Sequence, residues 1–366
     1  MHVIDELEKG MADGLHIGAQ IYVSRAGKVV VDTAVGDARA GVPMTTGTLM
    51  NWFSMTKAVT AVAVAQLWES GRVDIEAPAA EYVPEFGANG KDAITLRHLL
   101  THTAGIPNAD GMLQGEPWRE SNADSLARIY AAAPEYPPGT RAGYHAAAGM
   151  TVLGEVVARV SGVPYEQYVR DRIFAPVGAT DCWVGMPIEE YERYGDRIGF
   201  MHSTADGEAR PLPRINSARS AATPMPGAGG RGPMQQLALV YEALVAGGGP
   251  LLAPTTVAAF ASRHRTEMVD ETFGIVVDWG LGFTIDSAAM GSHCSRRTFG
   301  HGGHLSSVAF CDPEYAVVVA YVCNGMPARD AHYARLDAVS SAAYVDLGLA
   351  EPGARGRVKQ YPTAGL

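Results

Sequence analysis

Residues 18–36 read GAQIYVSRAGKVVVDTAVG. Ile, Tyr and Val mark the first half and Val the second, and Ala26-Gly27 divides them, which is the spacing of a β-hairpin with strands over 18–25 and 28–36. Near the other end, residues 316–323 read AVVVAYVC, a continuous apolar run of strand length. It follows the turn residues Asp312-Pro313-Glu314 and the strand-like Phe299, Val308, Ala309 and Phe310. Antiparallel strands are therefore expected at both ends of the chain. Outside them, Val3, Ile4, Leu7, Met11 and Leu15 recur at helical spacing, and a second helix is expected over 329–345. These two helices would share one face of the sheet.

Between the strand sets the pattern turns helical, over 54–70, 96–102, 125–133, 147–161, 165–174 and 235–246. With 366 residues the chain has room for two domains. The expected fold is α+β: an antiparallel sheet flanked by N- and C-terminal helices, with an inserted all-helical domain. The division falls at 1–74 plus 255–366 for the sheet domain and 75–254 for the insertion, with the site in the cleft between them. The Pro- and Gly-rich stretches 136–139 and 211–233 are long loops beside that cleft.

Composition narrows the function. Hydrophobic residues make up 47% and charged residues 19%, as in a compact globular chain. The 39 acidic residues against 29 Lys and Arg leave a net charge of -10, which repels nucleic acid and anionic membrane surfaces. The opening MHVIDELEKG lacks the apolar core of a secretory signal, and no apolar run reaches the ~18 residues of a membrane span. A cytoplasmic location is expected. Cys182, Cys294, Cys311 and Cys323 are widely separated, which predicts reduced, buried thiols rather than a disulfide framework.

Four groups of residues carry possible chemistry. Ser54-Met55-Thr56-Lys57 places a serine and a lysine three apart, hence on one helix face, at a helix start where backbone N–H groups can stabilise an oxyanion. Lysine serves as a base there if its surroundings favour the neutral amine. The same four residues also describe a capping serine followed by a surface lysine. Tyr144, after Pro137-Pro138-Gly139-Thr140, reads as a phenol at a cleft or as a core tyrosine. His301-Gly302-Gly303-His304 reads as a Gly-rich entrance to a strand where backbone approaches a ligand closely. Cys294, His301 and His304 lack the spacing of metal ligands.

In this order and at these separations, Ser54-Met55-Thr56-Lys57, Tyr144 and His301-Gly302-Gly303 resemble the three motifs of the serine β-lactamase and penicillin-binding-protein superfamily, nearest its class C-like branch. FSMTKAVTA, LRHLLTHTAGIP, YPPGTRAGYH, GMTVLGEVVARVSGVPYEQYVRDRIFAPVGATD, GAGGRGPMQQLA, WGLGF and FGHGGHLSS each look like a stretch of that branch. The resemblance implies a serine β-lactamase-like fold, Ser54 as acylated nucleophile, Lys57 as its buried partner and Tyr144 as proton shuttle. It implies an oxyanion hole from the backbone N–H groups of Ser54 and His304, and His301 in the lysine position of the third motif. Tyr144-His145-Ala146 departs from Tyr-x-Asn, so Ala146 supplies no amide to grip a β-lactam or peptide. Such departures are shared with the esterases called family VIII carboxylesterases and with transesterases and transacylases. The expected function is a carboxylesterase on small ester, thioester or amide substrates, without metal or cofactor. The alternatives are an acyltransferase of secondary metabolism, then an amide hydrolase, D-aminopeptidase or β-lactamase, then a catalytically silent binding protein. Trp52, Ala146 and Pro226 are expected at the substrate, with Trp52, Tyr144 and the Pro- and Gly-rich loop near Pro226 rimming the pocket for an apolar acyl chain.

Overall fold

The computed structural model describes residues 1–106 and 122–363; Pro107, last of the LRHLLTHTAGIP stretch, lies outside them. The sheet grows from the hairpin. Strands β1 (Gly18–Arg25) and β2 (Lys28–Arg39) meet at Arg25 and Lys28 across Ala26-Gly27. Both turn residues have positive φ, 50° and 73°, so the turn twists with the strands it joins. β2 runs past residue 36 because Asp37 and Arg39 pair with β3 (Val42–Pro43).

The remaining strands come from the C-terminal part: β4 (Asp278–Trp279), β5 (Thr284–Ile285), β6 (Phe299–Gly303), β7 (Ser307–Asp312) and β8 (Val317–Cys323). The eight-stranded order is β4-β5-β6-β7-β8-β1-β2-β3, antiparallel throughout. His301-Gly302-Gly303 precedes β7 as expected and is itself the end of β6, paired with Ala309, Val308 and Ser307.

Every residue of β8 is buried, because both faces of the sheet are covered. Val317, Val319, Tyr321 and Cys323 pack with Val3 and Leu7 of α1 (His2–Ala12) and, from the C-terminal helix at Arg329–Asp346, Leu336 and Val339. Val318, Ala320 and Val322 join the opposite core, where the helix Met234–Val245 lies across β7, β8 and β1. Each valine so buried contributes roughly 1.5–3 kcal/mol relative to exposure.

Helix α2 (Thr56–Glu69) is buried without a break from Thr56 to Ala65, so it runs through the interior rather than along a surface. It packs on α3 (Ala148–Ser161) and on Tyr165–Val169, which continues into a wider turn over Arg170–Phe174. In chain order the helices Met234–Val245 and Arg329–Asp346 then become α4 and α5. α4 falls inside the stretch 75–254 expected as the insertion, yet packs on the sheet. We propose that the two-part division holds with its second boundary drawn before Met234 rather than near Pro254. Cys182, Cys294, Cys311 and Cys323 are free and buried. Among the described residues, no helix is long and apolar enough to cross a membrane.

Candidate active site

Ser54 sits in a short 3-10 turn, Phe53–Met55, that leads into α2. The turn places Phe53 at a φ of 48°, a left-handed conformation costing a non-glycine residue about 1–2 kcal/mol. Hydrogen bonds offset that cost. Phe53 N–H donates to Asn51 Oδ1 at 2.8 Å, and Thr56 Oγ1 donates to the Phe53 carbonyl at 2.6 Å while accepting Gly230 N–H at 2.9 Å. Ser54 is left half-buried, opening on a cavity of about 370 Å³ that Tyr144, His301, Gly302, Gly303 and His304 also line. A volume of that size suits a small organic substrate.

Lys57 has no exposed surface. Its Nζ donates to Ala146 O at 2.7 Å, to Gly227 O at 2.9 Å and to Ser54 Oγ at 2.9 Å. Carbonyls only accept, so two N–H bonds are fixed and the third direction points at the serine. That direction carries a donated proton when lysine is charged and a lone pair when it is neutral. The loop that supplies Gly227 is tied to α2 a turn later, where Thr60 Oγ1 donates to Pro226 O at 2.6 Å.

Tyr144 OH donates to Ser54 Oγ at 2.7 Å, and Lys57 Nζ lies 4.9 Å from the centre of its ring. The serine oxygen thus receives two hydrogen bonds, one from Lys57 three residues on and one from Tyr144, remote in sequence. The phenol is held from several sides. Phe273 stacks on it at 4.8 Å, His102 lies at 4.7 Å and Trp279 at 6.0 Å. The carboxylate of Asp270 accepts the Tyr144 and Phe273 N–H groups at 3.1 and 3.3 Å and pairs with buried Arg265 at 3.0 Å. Arg265 also donates to the Thr101 and Val277 carbonyls, so the buried ion pair is hydrogen-bonded on both sides.

His301 lines the cavity and is almost wholly buried. Burial, reinforced by the charge of Lys57, lowers its pKa to about 3, so its imidazole is neutral. Nδ1 donates to Gly302 O at 2.7 Å, which leaves Nε2 as the lone-pair nitrogen, without a hydrogen bond among the described residues. Next to it, Gly303 lets β6 approach the serine turn: an added Cβ would stand 2.5 Å from Trp52 O and 2.2 Å from Ser307 Oγ. Beyond His304, Leu305 has a φ of 46° and its carbonyl accepts Arg335 Nη2 at 2.9 Å. Left-handed residues therefore flank both Ser54 and His304, each held by a buried side chain.

The structure brings together Ser54, Lys57, Tyr144, His301, Gly302, Gly303 and His304. Three residues expected at the substrate do not line the cavity. Trp52 is fully buried, donating Nε1 to Gly232 O at 3.0 Å with its edge on Phe174. Ala146 and Pro226 serve through their carbonyls, which accept from Lys57 and Thr60. Cys294 lies not with His301 and His304 but against Lys359 Nζ at 2.9 Å. Among the described residues, no group of three or more His, Cys, Asp or Glu is placed to hold a metal ion. Sequence reasoning missed Asn51, Asp270, Arg265, Phe273 and Arg335. Only Trp279 stood within a quoted stretch, WGLGF.

Comparison with known proteins agrees with this geometry. The family model described as Beta-lactamase matches residues 3–343. Esterase EstB of Burkholderia gladioli is 31% identical over 87% of this chain and 91% of its own. The crystal structure of a family VIII carboxylesterase superposes with a TM-score of 0.80 at 30% identity, covering 94% of this chain and 96% of that one. A penicillin-binding protein homologue from Caulobacter crescentus matches with the same TM-score, identity and coverage. With the serine β-lactamase-like fold and its three motifs in place, the chain belongs to the beta-lactamase family, in the branch that includes family VIII carboxylesterases.

Proposed function

We propose that the protein is a serine hydrolase that forms an acyl-enzyme on Ser54 and passes the acyl group to water, a carboxylesterase for small uncharged esters. The observation that carries this reading is the double hydrogen bond to Ser54 Oγ from Lys57 Nζ and Tyr144 OH. As Oγ attacks the ester carbonyl carbon, the serine proton passes to the Lys57–Tyr144 pair. The carbonyl oxygen gains negative charge opposite the backbone N–H groups of Ser54 and His304. Collapse breaks the bond to the alkoxide, which leaves with the proton from Tyr144. Water then repeats the sequence in reverse, releasing the acid.

Substrate charge follows from the third motif. A neutral His301 offers no cation to a substrate carboxylate, and Ala146 offers no side-chain amide. Phe273, Val277, Trp279 and Ile285 wall part of the cavity, and of the cations that border it Arg329 donates to Thr363 O while Arg357 and Lys359 pair with Asp286. Relatives named as esterases support the ester over the β-lactam. Four unpaired, buried thiols fit the reducing cytoplasm as the location.

The test compares kcat/KM for a short-chain aryl ester with that for a chromogenic cephalosporin. The missing contacts to a charged substrate are each worth ~1.5–3 kcal/mol, so the ester should win by at least about tenfold to a hundredfold. Ser54→Ala should abolish turnover and labelling by a fluorophosphonate. A cephalosporin preference would overturn the esterase reading. Product transfer to an added alcohol, with little free acid, would make the protein an acyltransferase acting through the same acyl-enzyme.

A further inference from the structure

The mechanism leaves unused a stretch of chain that lines the same cavity. Val358, Gln360 and Pro362 border it together with Ser54 and Tyr144. This stretch is pinned at both ends. At one end Arg357 donates to both carboxylate oxygens of Asp286, at 2.7 and 2.6 Å, and Lys359 Nζ donates to Ser287 O at 2.9 Å and pairs with Asp286 at 2.9 Å. At the other, Thr363 N–H donates to Phe273 O at 3.0 Å, and Thr363 O accepts Arg329 Nη1 at 3.1 Å. Tyr361 packs on Tyr333 of α5 between them, ring centres 5.1 Å apart. The segment thus runs from the residue after β5 to the phenylalanine that stacks on Tyr144.

Its exposed residues are Val358, Gln360 and Thr363, and of these Val358 is apolar where water would favour a polar side chain. Val358 is 100% exposed, and Val276, which lines the same cavity, is 41% exposed. Single exposed valines are ordinary, but two on the border of one cavity make an apolar surface there that a substrate chain can cover.

We propose that residues 357–363 form a specificity-determining strap: they wall the substrate cavity between Asp286 and Phe273, and Val358 with Val276 receives the apolar chain of the ester. Chain length is then read by the strap, while the chemistry stays with Ser54, Lys57 and Tyr144. The inference rests on Ser54 being the acylated nucleophile, and its test separates the two.

In the full chain, the rate of Ser54 labelling is measured by intact mass with an ethyl and an octyl fluorophosphonate. Wild type should react faster with the octyl probe. Val358→Asp should lower the octyl-to-ethyl ratio by about tenfold, the equivalent of roughly two buried methylene groups, while Val358→Leu retains it. Arg357→Gln combined with Lys359→Gln, which unpins the strap from Asp286, should lower the ratio in the same direction. An equal rate for the two probes in wild type, or a ratio unmoved in both Val358→Asp and the unpinned variant, would overturn the strap. Absence of labelling by either probe would instead overturn Ser54 as nucleophile.

Discussion

Lys57 is a cation-forming group with no exposed atom, in a position that would cost several kcal/mol without compensation. Its three hydrogen bonds supply that compensation and aim it at the serine. Tyr144 also reaches the same oxygen, and in the proposed mechanism lysine, phenol and serine act as one proton-transfer unit. Lys57→Ala and Tyr144→Phe should each lower the acylation rate by roughly 10²–10⁴. The double variant should fall little further than the worse single one, because groups that act as a unit are not additive. Single-turnover acylation of all four proteins measures this directly. Tyr144→Phe keeps the ring that stacks on Phe273, so near-normal turnover in that variant would reduce the tyrosine to a packing residue.

At the scale of elements, the site exists because β6 closes on the serine turn. Gly303 makes the approach possible, and the matched position Gly302 does not carry the same constraint: a Cβ there would meet nothing nearer than 3.7 Å. Gly303→Ala should therefore destabilise the fold by ~1–3 kcal/mol through overpacking and push β6 from the turn, whereas Gly302→Ala should not lower stability measurably. Urea midpoints for the two variants test the contrast, and equal losses would show that β6 and the turn are not in tight contact. The loop after β6 depends on α5 in turn. Arg335 donates to Leu305 O, Gly325 O and Leu15 O, so one buried guanidinium ties the loop behind His304 to two other parts of the chain.

Across the whole molecule, burial holds several histidines neutral. His16, His145 and His301 are each lowered to about 3, chiefly by burial, and His102 and His332 are lowered well below the usual value. Their folded pKa values lie below the unfolded value of about 6.5, so between those limits the unfolded chain binds more protons. Stability should then rise with pH through this window and fall on acidification below about pH 6.5, each fully titrating histidine contributing up to ~1.4 kcal/mol per pH unit. Unfolding midpoints measured from pH 7.5 to 5 should drop steeply. A flat profile would mean that these rings are solvated in the folded protein.

The sequence alone determined what local periodicity and short spacing encode. The hairpin over 18–36 and the buried strand near 316–323 were legible because alternation and unbroken apolar runs report how many faces are covered. Ser54 and Lys57 were legible because three residues on a helix fix their proximity, and Tyr144 and His301 by the order in which the motifs occur. Tertiary structure alone decided which aromatic residues border the cavity. Trp52 adjoins the serine turn in sequence yet is sealed in the core, whereas Phe273 and Trp279, far along the chain, reach Tyr144. It also decided that Arg335 supports the loop behind His304, that Asp270 holds the tyrosine backbone and that Arg357 to Gln360 and Pro362 line the cavity. These contacts join segments whose separation leaves no periodic trace, since a side chain's partner is set by the packing of whole elements and not by its neighbours in the chain.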